Sequence, residues 1–323
     1  MIHWGHHAAM VFASSSFSIM NILVKNLQVP TLVFCLYRDS LACPLLILFA
    51  AQQRSFRHIA KTKHKMLFFG VGLTNILGQQ LLFVLGDRWS TPDLAAFYQP
   101  VTPCLTMALA LLVRFERFSV VRALGILVAA AGVAFISLSR IKSPTALTVG
   151  MQFVAANAVL LGNNVCASLG VLLQKPLNDF YCPVHIVSVT YIVAVVGLGV
   201  ISGICGTLGF LTIDSFVISF RDVGIVMYCA IVCSALNYAL ITWANTKLDA
   251  SVISCYAVLQ PVLTSLLAYL FLRLVPSIGE LIGGVICILG LALTVRPLSN
   301  RMPIIAQDSC ATMQQSALEP SER

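Results

Sequence analysis

Charge is what this chain has least of. Of its 323 residues only 10% are Asp, Glu, Lys or Arg, against about 25% in an ordinary soluble domain. Hydrophobic residues make up 59%, and the mean hydropathy is +0.91. So few charges cannot clothe a chain of this size in a water-facing surface. A soluble globular fold is excluded, and lipid has to replace much of the water.

Signatures of catalysis and of metal binding are also missing. There is no H-E-x-x-H, no Walker A phosphate loop and no nucleophile elbow, the constellations that carry metal, phosphate or acyl chemistry. Acidic residues inside apolar runs are nearly confined to Asp39, which argues against intramembrane catalysis, so no enzyme is expected. No C-x-x-C pair occurs among the eleven cysteines. Cys35, Cys43, Cys104, Cys166, Cys229, Cys233, Cys255 and Cys287 lie inside apolar runs and read as small packing residues. Cys229 and Cys233 are spaced for one helix face, but two sulfurs alone make a poor metal site. His3, His6 and His7 read as a solvated terminus, and no metal is expected. The net charge of +8 does not indicate nucleic acid, because the basic residues sit between apolar runs rather than along one stripe.

What is present is a series of apolar runs. About 20 apolar residues span a bilayer core, and that ruler gives ten helices, near 6–25, 32–52, 66–86, 93–113, 119–139, 150–173, 184–205, 223–244, 250–272 and 278–296. The predicted fold class is all-α: a multi-pass integral membrane protein with ten transmembrane helices. The first run has no Lys or Arg before it and reads as a membrane helix, not a cleaved leader. Residues 206–222 are too polar to span and are expected to form a loop or an interfacial segment. Residues 298–323 are expected to be a disordered cytosolic tail.

Positive charge orients the chain. Arg54, Arg57, Lys61, Lys63 and Lys65 between the second and third runs form the largest basic cluster and belong on the cytosolic side. Alternation then puts Arg114, Arg117, Lys175, Lys247, Arg296 and Arg301 on the same side, with both termini cytosolic.

The chain also repeats itself. One fixed offset pairs Tyr98 with Tyr256, Pro103 with Pro261, Leu105-Thr106 with Leu263-Thr264, Gly125 with Gly283 and Gly132 with Gly290, without a gap. The repeat implies two halves, 1–143 and 144–297, of five helices each. Five is odd, so the second half enters the membrane upside down, an arrangement common among transporters. The loop charges agree: Arg114-Phe115-Glu116-Arg117 is basic, whereas its counterpart Leu272-Arg273-Leu274-Val275 is less so.

Several segments then resemble plant nodulin-like, walls-are-thin-related transporters of the EamA-type drug/metabolite superfamily. Phe34-Cys35-Leu36-Tyr37-Arg38-Asp39-Ser40-Leu41-Ala42 is similar to their second helix and Leu77-Gly78-Gln79-Gln80-Leu81 to the third. Pro103 to Glu116 resembles the fourth helix with its aromatic-Glu-basic turn, Leu173-Gln174-Lys175 the end of the sixth, and Pro261 to Gly290 the ninth and tenth. The chain departs from the family at Leu274-Val275-Pro276, where a Gly-Glu turn is usual, and at Trp89-Ser90-Thr91-Pro92-Asp93, where small residues are usual. The resemblance implies a ten-helix secondary carrier of amino acids, auxin-like compounds or other metabolites, with no bound cofactor and no nucleotide hydrolysis.

A carrier needs polar groups at membrane depth, where each is costly. Arg38 can hold a substrate carboxylate with its two-pronged donor face; the bland alternatives are snorkelling or a structural ion pair. Tyr37 adjoins it. Asp39 is expected not to pair with Arg38, because adjacent helix positions point about 100° apart. Asn75 and Gln79 share a face of the third helix, Tyr256 and Gln260 of the ninth, and Tyr98 is the repeat mate of Tyr256. These stripes either line a cavity or hold helices together. Asn21, Asn163, Asn164, Asn237 and Trp243 are weaker candidates. Pro100, Pro103 and Pro261 lie inside helices and are gating candidates, because a proline frees a carbonyl and kinks the helix. Gly125, Gly132, Gly279 and Gly283 suit tight helix packing, either within one chain or between two copies in a homodimer.

The expected function is alternating-access transport of small organic metabolites, amino acids or auxin-like compounds first. A nucleotide-sugar or sugar-phosphate carrier needs more than one deep basic residue for phosphate. A non-transporting receptor or scaffold fits two inverted halves poorly. The partners expected are lipid and a small-molecule substrate, in either the plasma membrane or an endomembrane.

Overall fold

The computed structural model describes residues 4–24, 27, 29–52, 63–89, 98, 101–140, 151–273 and 277–295. Among them are ten helices. The first half holds α1 (Trp4–Val24), α2 (Thr31–Gln52), α3 (65–89), α4 (Val101–Leu112) and α5 (Val120–Arg140). The second holds α6 (Met151–Asn178), α7 (Pro183–Thr207), α8 (220–245), α9 (250–272) and α10 (Ile278–Val295). Eight are long and apolar enough to cross a bilayer, and α4 and α5 are shorter apolar helices in their described stretches. In lipid every backbone N–H and C=O has to be satisfied within the segment, so apolar runs of this length become helices. Their outer faces carry large exposed apolar side chains, such as Leu48 at 57%, Val196 at 62% and Val285 at 59%, where lipid would lie. Residues 208–219 do not span; they hold only a short 3-10 turn, Ile213–Phe216, closed by the Thr212–Ser215 capping box. The tail 298–323 lies outside the described residues.

The inversion of the two halves can be read directly where α5 meets α10. A Cβ on Gly125 would fall 2.9 Å from the carbonyl oxygen of Gly290, and one on Gly132 would fall 2.8 Å from that of Gly283. Residue numbers rise along one helix as they fall along the other, so the pair is antiparallel. The sequence repeat maps Gly125 onto Gly283 and Gly132 onto Gly290. Each contact is therefore the image of the other, as a two-fold axis in the membrane plane requires. Gly125, Gly132 and Gly283 thus pack within one chain, and Gly279 is half-buried in the first turn of α10.

The same relation shows in helix irregularities. α3 widens to a π-helix over Gly72–Gly78, and its mate α8 does so over Cys229–Leu236. α4 and α9 each end where an arginine takes a left-handed backbone, Arg114 at φ 60° and Arg273 at φ 54°. π-helical stretches are rare and gather at functional sites, which makes α3 and α8 the first places to look.

Candidate functional site

The polar rungs between the halves come in repeat-related pairs. Ser18 Oγ of α1 donates to the carbonyl of Gln260 on α9 at 3.1 Å, and Ser168 Oγ of α6 donates to that of Thr102 on α4 at 3.2 Å. The Tyr256 hydroxyl meets His7 Nδ1 at 2.8 Å, and the Tyr98 hydroxyl donates to Asn157 Oδ1 at 2.6 Å. His7 and Ser18 stand to Asn157 and Ser168 at one common offset, so these are two copies of one arrangement. Asn237 Nδ2 on α8 likewise donates to Ala13 O on α1, and Asn163 Nδ2 on α6 donates to Gln79 O on α3.

Pro261 has a local consequence. The turn before it tightens to 3-10 geometry over Tyr256–Val258, and Ser14 and Ser18 donate to the carbonyls of Tyr256 and Gln260. α1 thereby satisfies the backbone of a broken helix, as tolerated prolines in membranes require. Pro103 is buried in α4; Pro100 lies outside the described residues.

The deepest charges lie elsewhere, between α2, α7 and α8. Arg38 Nε donates to Asp39 Oδ1 at 2.9 Å, with the two side chains 7% and 0% exposed. This corrects the expectation that the neighbours do not pair. Their Cβ directions do diverge, but a long guanidinium stem can bend back at a rotamer cost of order 1 kcal/mol. An uncompensated buried charge costs several times that. Ser234 Oγ of α8 also donates to Asp39 Oδ1, at 3.2 Å. Arg38 sits 5.8 Å from the Phe34 ring centre, and its Nη1 touches Met20 Sδ of α1 at 3.9 Å.

Around this pair the hydrogen bonding is incomplete. Among the described residues, Arg38 Nη2, Asp39 Oδ2 and Asn237 Oδ1 are buried without a hydrogen-bond partner, and the Tyr191 hydroxyl and the Gln80 amide are buried near Ser234 and Tyr238 without a well-formed hydrogen bond. Tyr191 packs edge-on against Tyr238 at 5.5 Å, and Tyr238 lies within electrostatic reach of Arg38, Asp39 and Gln80. Buried polar groups are almost always satisfied. Several exceptions in one cluster at membrane depth mark a place equipped to receive a polar guest.

The other sequence candidates are distributed rather than convergent. Tyr37 turns away, its hydroxyl donating to Phe216 O at 2.9 Å. Asn75 is buried against Gly170 of α6, where an added Cβ would come within 2.4 Å of its own. Gln79 and Gln260 are half-buried and take part through backbone carbonyls. The structure thus keeps Tyr98, Tyr256 and Gln260 on the rungs and Arg38 in the α2–α7–α8 cluster. Sequence reasoning missed Tyr191, Ser234 and Tyr238 and placed Gln79 ahead of Gln80. A signal existed: the same offset carried further towards the N-terminus pairs Gln79 with Asn237 and Gln80 with Tyr238.

A second charged network closes the end of the bundle that carries the α4–α5 and α8–α9 connections. Arg122 bridges Glu116 at 3.2 Å and Asp249 at 2.7 Å. Glu116 also accepts from the backbone N–H of Ser251 at 3.0 Å. Beside it, Lys175 Nζ donates to the carbonyls of Asn245 and Leu248. Glu116 is 3% exposed and Asp249 25%. Glu116→Ala removes one of the two carboxylates on a buried guanidinium together with the acceptor of the Ser251 N–H, and is expected to cost about 1–3 kcal/mol. Asp249→Ala is expected to cost less, because water reaches that carboxylate. Thermal melting of the two variants in detergent checks the order. At the opposite end, a cleft of about 520 Å³ lies between the α1–α2 connection and residues 212–222, with Asp214 and Asp222 in its wall.

Comparison with known proteins decides the family. The sequence pattern of the EamA-like transporter family matches residues 4–138 and again 154–296. The chain belongs to the EamA-like transporter family. This EamA-type protein is 26% identical to Protein WALLS ARE THIN 1 of Arabidopsis thaliana, over 98% of the chain and 89% of that protein. It is 24% identical to a WAT1-related protein of the same plant, over 88% and 79%. An uncharacterized transporter of Bacillus subtilis, YyaM, matches at 23%, over 79% and 81%. A crystal structure sharing 14% identity superposes with a TM-score of 0.73, covering 89% of the chain and 94% of the other; at that identity it speaks for the fold alone. This EamA-type protein is therefore a multi-pass integral membrane transporter resembling the WAT1-related proteins.

Proposed function

We propose that this EamA-type transporter is a secondary carrier of small organic metabolites bearing a carboxylate, amino acids or auxin-like compounds, working by alternating access. The observation that carries the reading is the Arg38–Asp39 cluster, with its unpartnered guanidinium nitrogen and the poorly satisfied phenol and amide beside it at membrane depth. Arg38 Nη2 offers the donor for a carboxylate, and Tyr191 and Gln80 offer groups for the remaining polar handle. Asp39 beside Arg38 would repel a dianionic phosphate, which favours a carboxylate over a sugar phosphate.

The gates follow from the inverted repeat. Every paired rung ties a helix of one half to a helix of the other, α1 to α9 and α6 to α4. Exchanging which rung is made would open one face and close the other, with Pro103 and Pro261 supplying the bends. The Glu116–Arg122–Asp249 network would be the cytosolic latch, with the Arg54–Lys65 connection and both termini on that side.

Flux into liposomes tests the proposal. Labelled amino acids and auxin-like acids are offered to the reconstituted chain. Saturable uptake of at least one of them is expected, with uptake lost in Arg38→Gln. Conduction that does not saturate would replace the carrier by a channel. No flux from folded, inserted protein would remove the carboxylate reading.

A further inference from the structure

The buried charges of α2 pose a problem that a substrate has to solve. Among the described side chains, Arg38 and Asp39 are the only charged groups about two turns inside a helix. They neutralise each other: one guanidinium, one carboxylate, 2.9 Å apart. A substrate carboxylate arriving at Arg38 would make two anions share one cation in a medium of low dielectric. Like charges at that range strongly resist joint ionisation. One of the two carboxylates has to become neutral.

From this we infer that Asp39 is the coupling-proton site of the carrier, and that one proton is taken up at Asp39 for each substrate bound at Arg38 through a carboxylate that is its only charge. The inference rests on the reading of Arg38 as the carboxylate site. The balance is simple. In the empty state Asp39 is ionised and paired with Arg38. In the loaded state the substrate carboxylate pairs with Arg38, and Asp39 carries a proton on Oδ2, the oxygen that has no partner in this structure. With a substrate whose carboxylate is its only charge, the cluster is neutral in both states. When the carboxylate leaves, Asp39 releases its proton to the same side and pairs with Arg38 again. Proton and carboxylate therefore cross in the same direction.

Among the described residues, no second carboxylate and no amine faces the pair. The titratable side chains facing the pair are Cys35 and Cys43 on α2, Tyr191 on α7, and Cys229, Cys233 and Tyr238 on α8. Thiols and phenols ordinarily carry their protons near neutral pH, so the carboxylate there to be protonated is Asp39. Ser234 remains at hand to hydrogen-bond the protonated Asp39, since its hydroxyl already reaches Oδ1.

The test needs no membrane and so no correction for leak. The purified full chain in detergent, in weakly buffered solution with a pH indicator, is titrated with labelled indole-3-acetate and, separately, with labelled glutamine. Uptake of one proton per indole-3-acetate bound is expected, and none per glutamine, whose ammonium supplies a second cation. Linkage also demands that the wild-type Kd for indole-3-acetate rise tenfold per pH unit once Asp39 is ionised in the empty state. Asp39→Asn, checked for folding by size exclusion, should bind with a Kd that does not change with pH and without proton uptake. Arg38→Gln should not bind. A wild-type Kd for indole-3-acetate that is flat across neutral pH, or its binding without proton uptake, overturns the inference and leaves the Arg38 site standing; this holds even should Asp39→Asn not fold. Binding that survives Arg38→Gln, or no binding of either probe to folded wild type, removes the Arg38 reading and the proton site with it.

Discussion

Gly290→Ala is expected to destabilise this protein severely. A Cβ there would lie 2.3 Å from the backbone nitrogen of Ala129, 2.6 Å from its Cα and 2.7 Å from its Cβ. Two of those atoms are main chain and cannot swing aside, so α5 and α10 would have to separate along the crossing that joins the halves. Overpacking a well-filled core costs about 1–3 kcal/mol when side chains can adjust, and here they cannot. Each 1.4 kcal/mol is a factor of ten in the folded ratio. The folded-to-unfolded ratio should therefore fall by more than about tenfold, and the melting temperature with it. The image position predicts the same: a Cβ on Gly132 would be 2.7 Å from Cys287 N, and Gly132→Ala should fail comparably. Gly203→Ala is the control. Nothing lies within 4 Å of a Cβ there, so alanine should be neutral or stabilise α7 by up to about 1 kcal/mol through helix propensity. Thermal melting of the three variants side by side decides the matter, and a Gly290→Ala protein that melts like wild type would refute this crossing.

The Arg38–Asp39 pair predicts a large and non-additive loss. Arg38→Gln leaves a carboxylate and Asp39→Asn a guanidinium without its counter-charge, both nearly fully buried. Breaking a buried pair from one side costs about 3–5 kcal/mol. Replacing both partners removes both charges together, so Arg38→Gln/Asp39→Asn should recover most of what either single variant loses. That pattern is a coupling energy measurable by a double-mutant cycle. The double variant also separates structure from function. A merely structural pair would leave a refolded double variant transporting normally; with Arg38 as the carboxylate site it should be folded and silent. Melting curves and flux on the same four preparations read both answers.

These two predictions stand differently with respect to sequence. The glycines at α5 and α10 were visible as small-residue faces, and their repeat relation gave the inversion away, because a fixed offset across prolines, glycines and a tyrosine is not a property of apolar composition. Their partners were not visible: Gly125 and Gly283 read equally well as a contact between copies of the chain. Arg38 was conspicuous because a charge two turns inside an apolar helix is expensive. Its partner was misjudged because helix geometry sets only the direction of Cβ, while the bend of the guanidinium stem answers to the dryness of its surroundings. Tyr98 and Tyr256 were recognised as mates, but the groups that hold them, Asn157 and His7, lie on α6 and α1 at a different offset, since α6 and α7 are longer than α1 and α2.

By itself, then, the sequence determined that the chain is ten apolar helices in two inverted halves and that it resembles the EamA-type carriers. Lipid leaves the backbone few alternatives to a helix, and both run length and repeat offset are written along one dimension. Only the tertiary structure decided that Arg38 closes on Asp39 under Ser234 and Tyr191, that α3 and α8 widen to π-helix at matching places, and that α5 and α10 cross on bare glycine. Those outcomes depend on which helix faces which and on how side chains divide one crowded space, and such non-local choices leave no local mark in the chain.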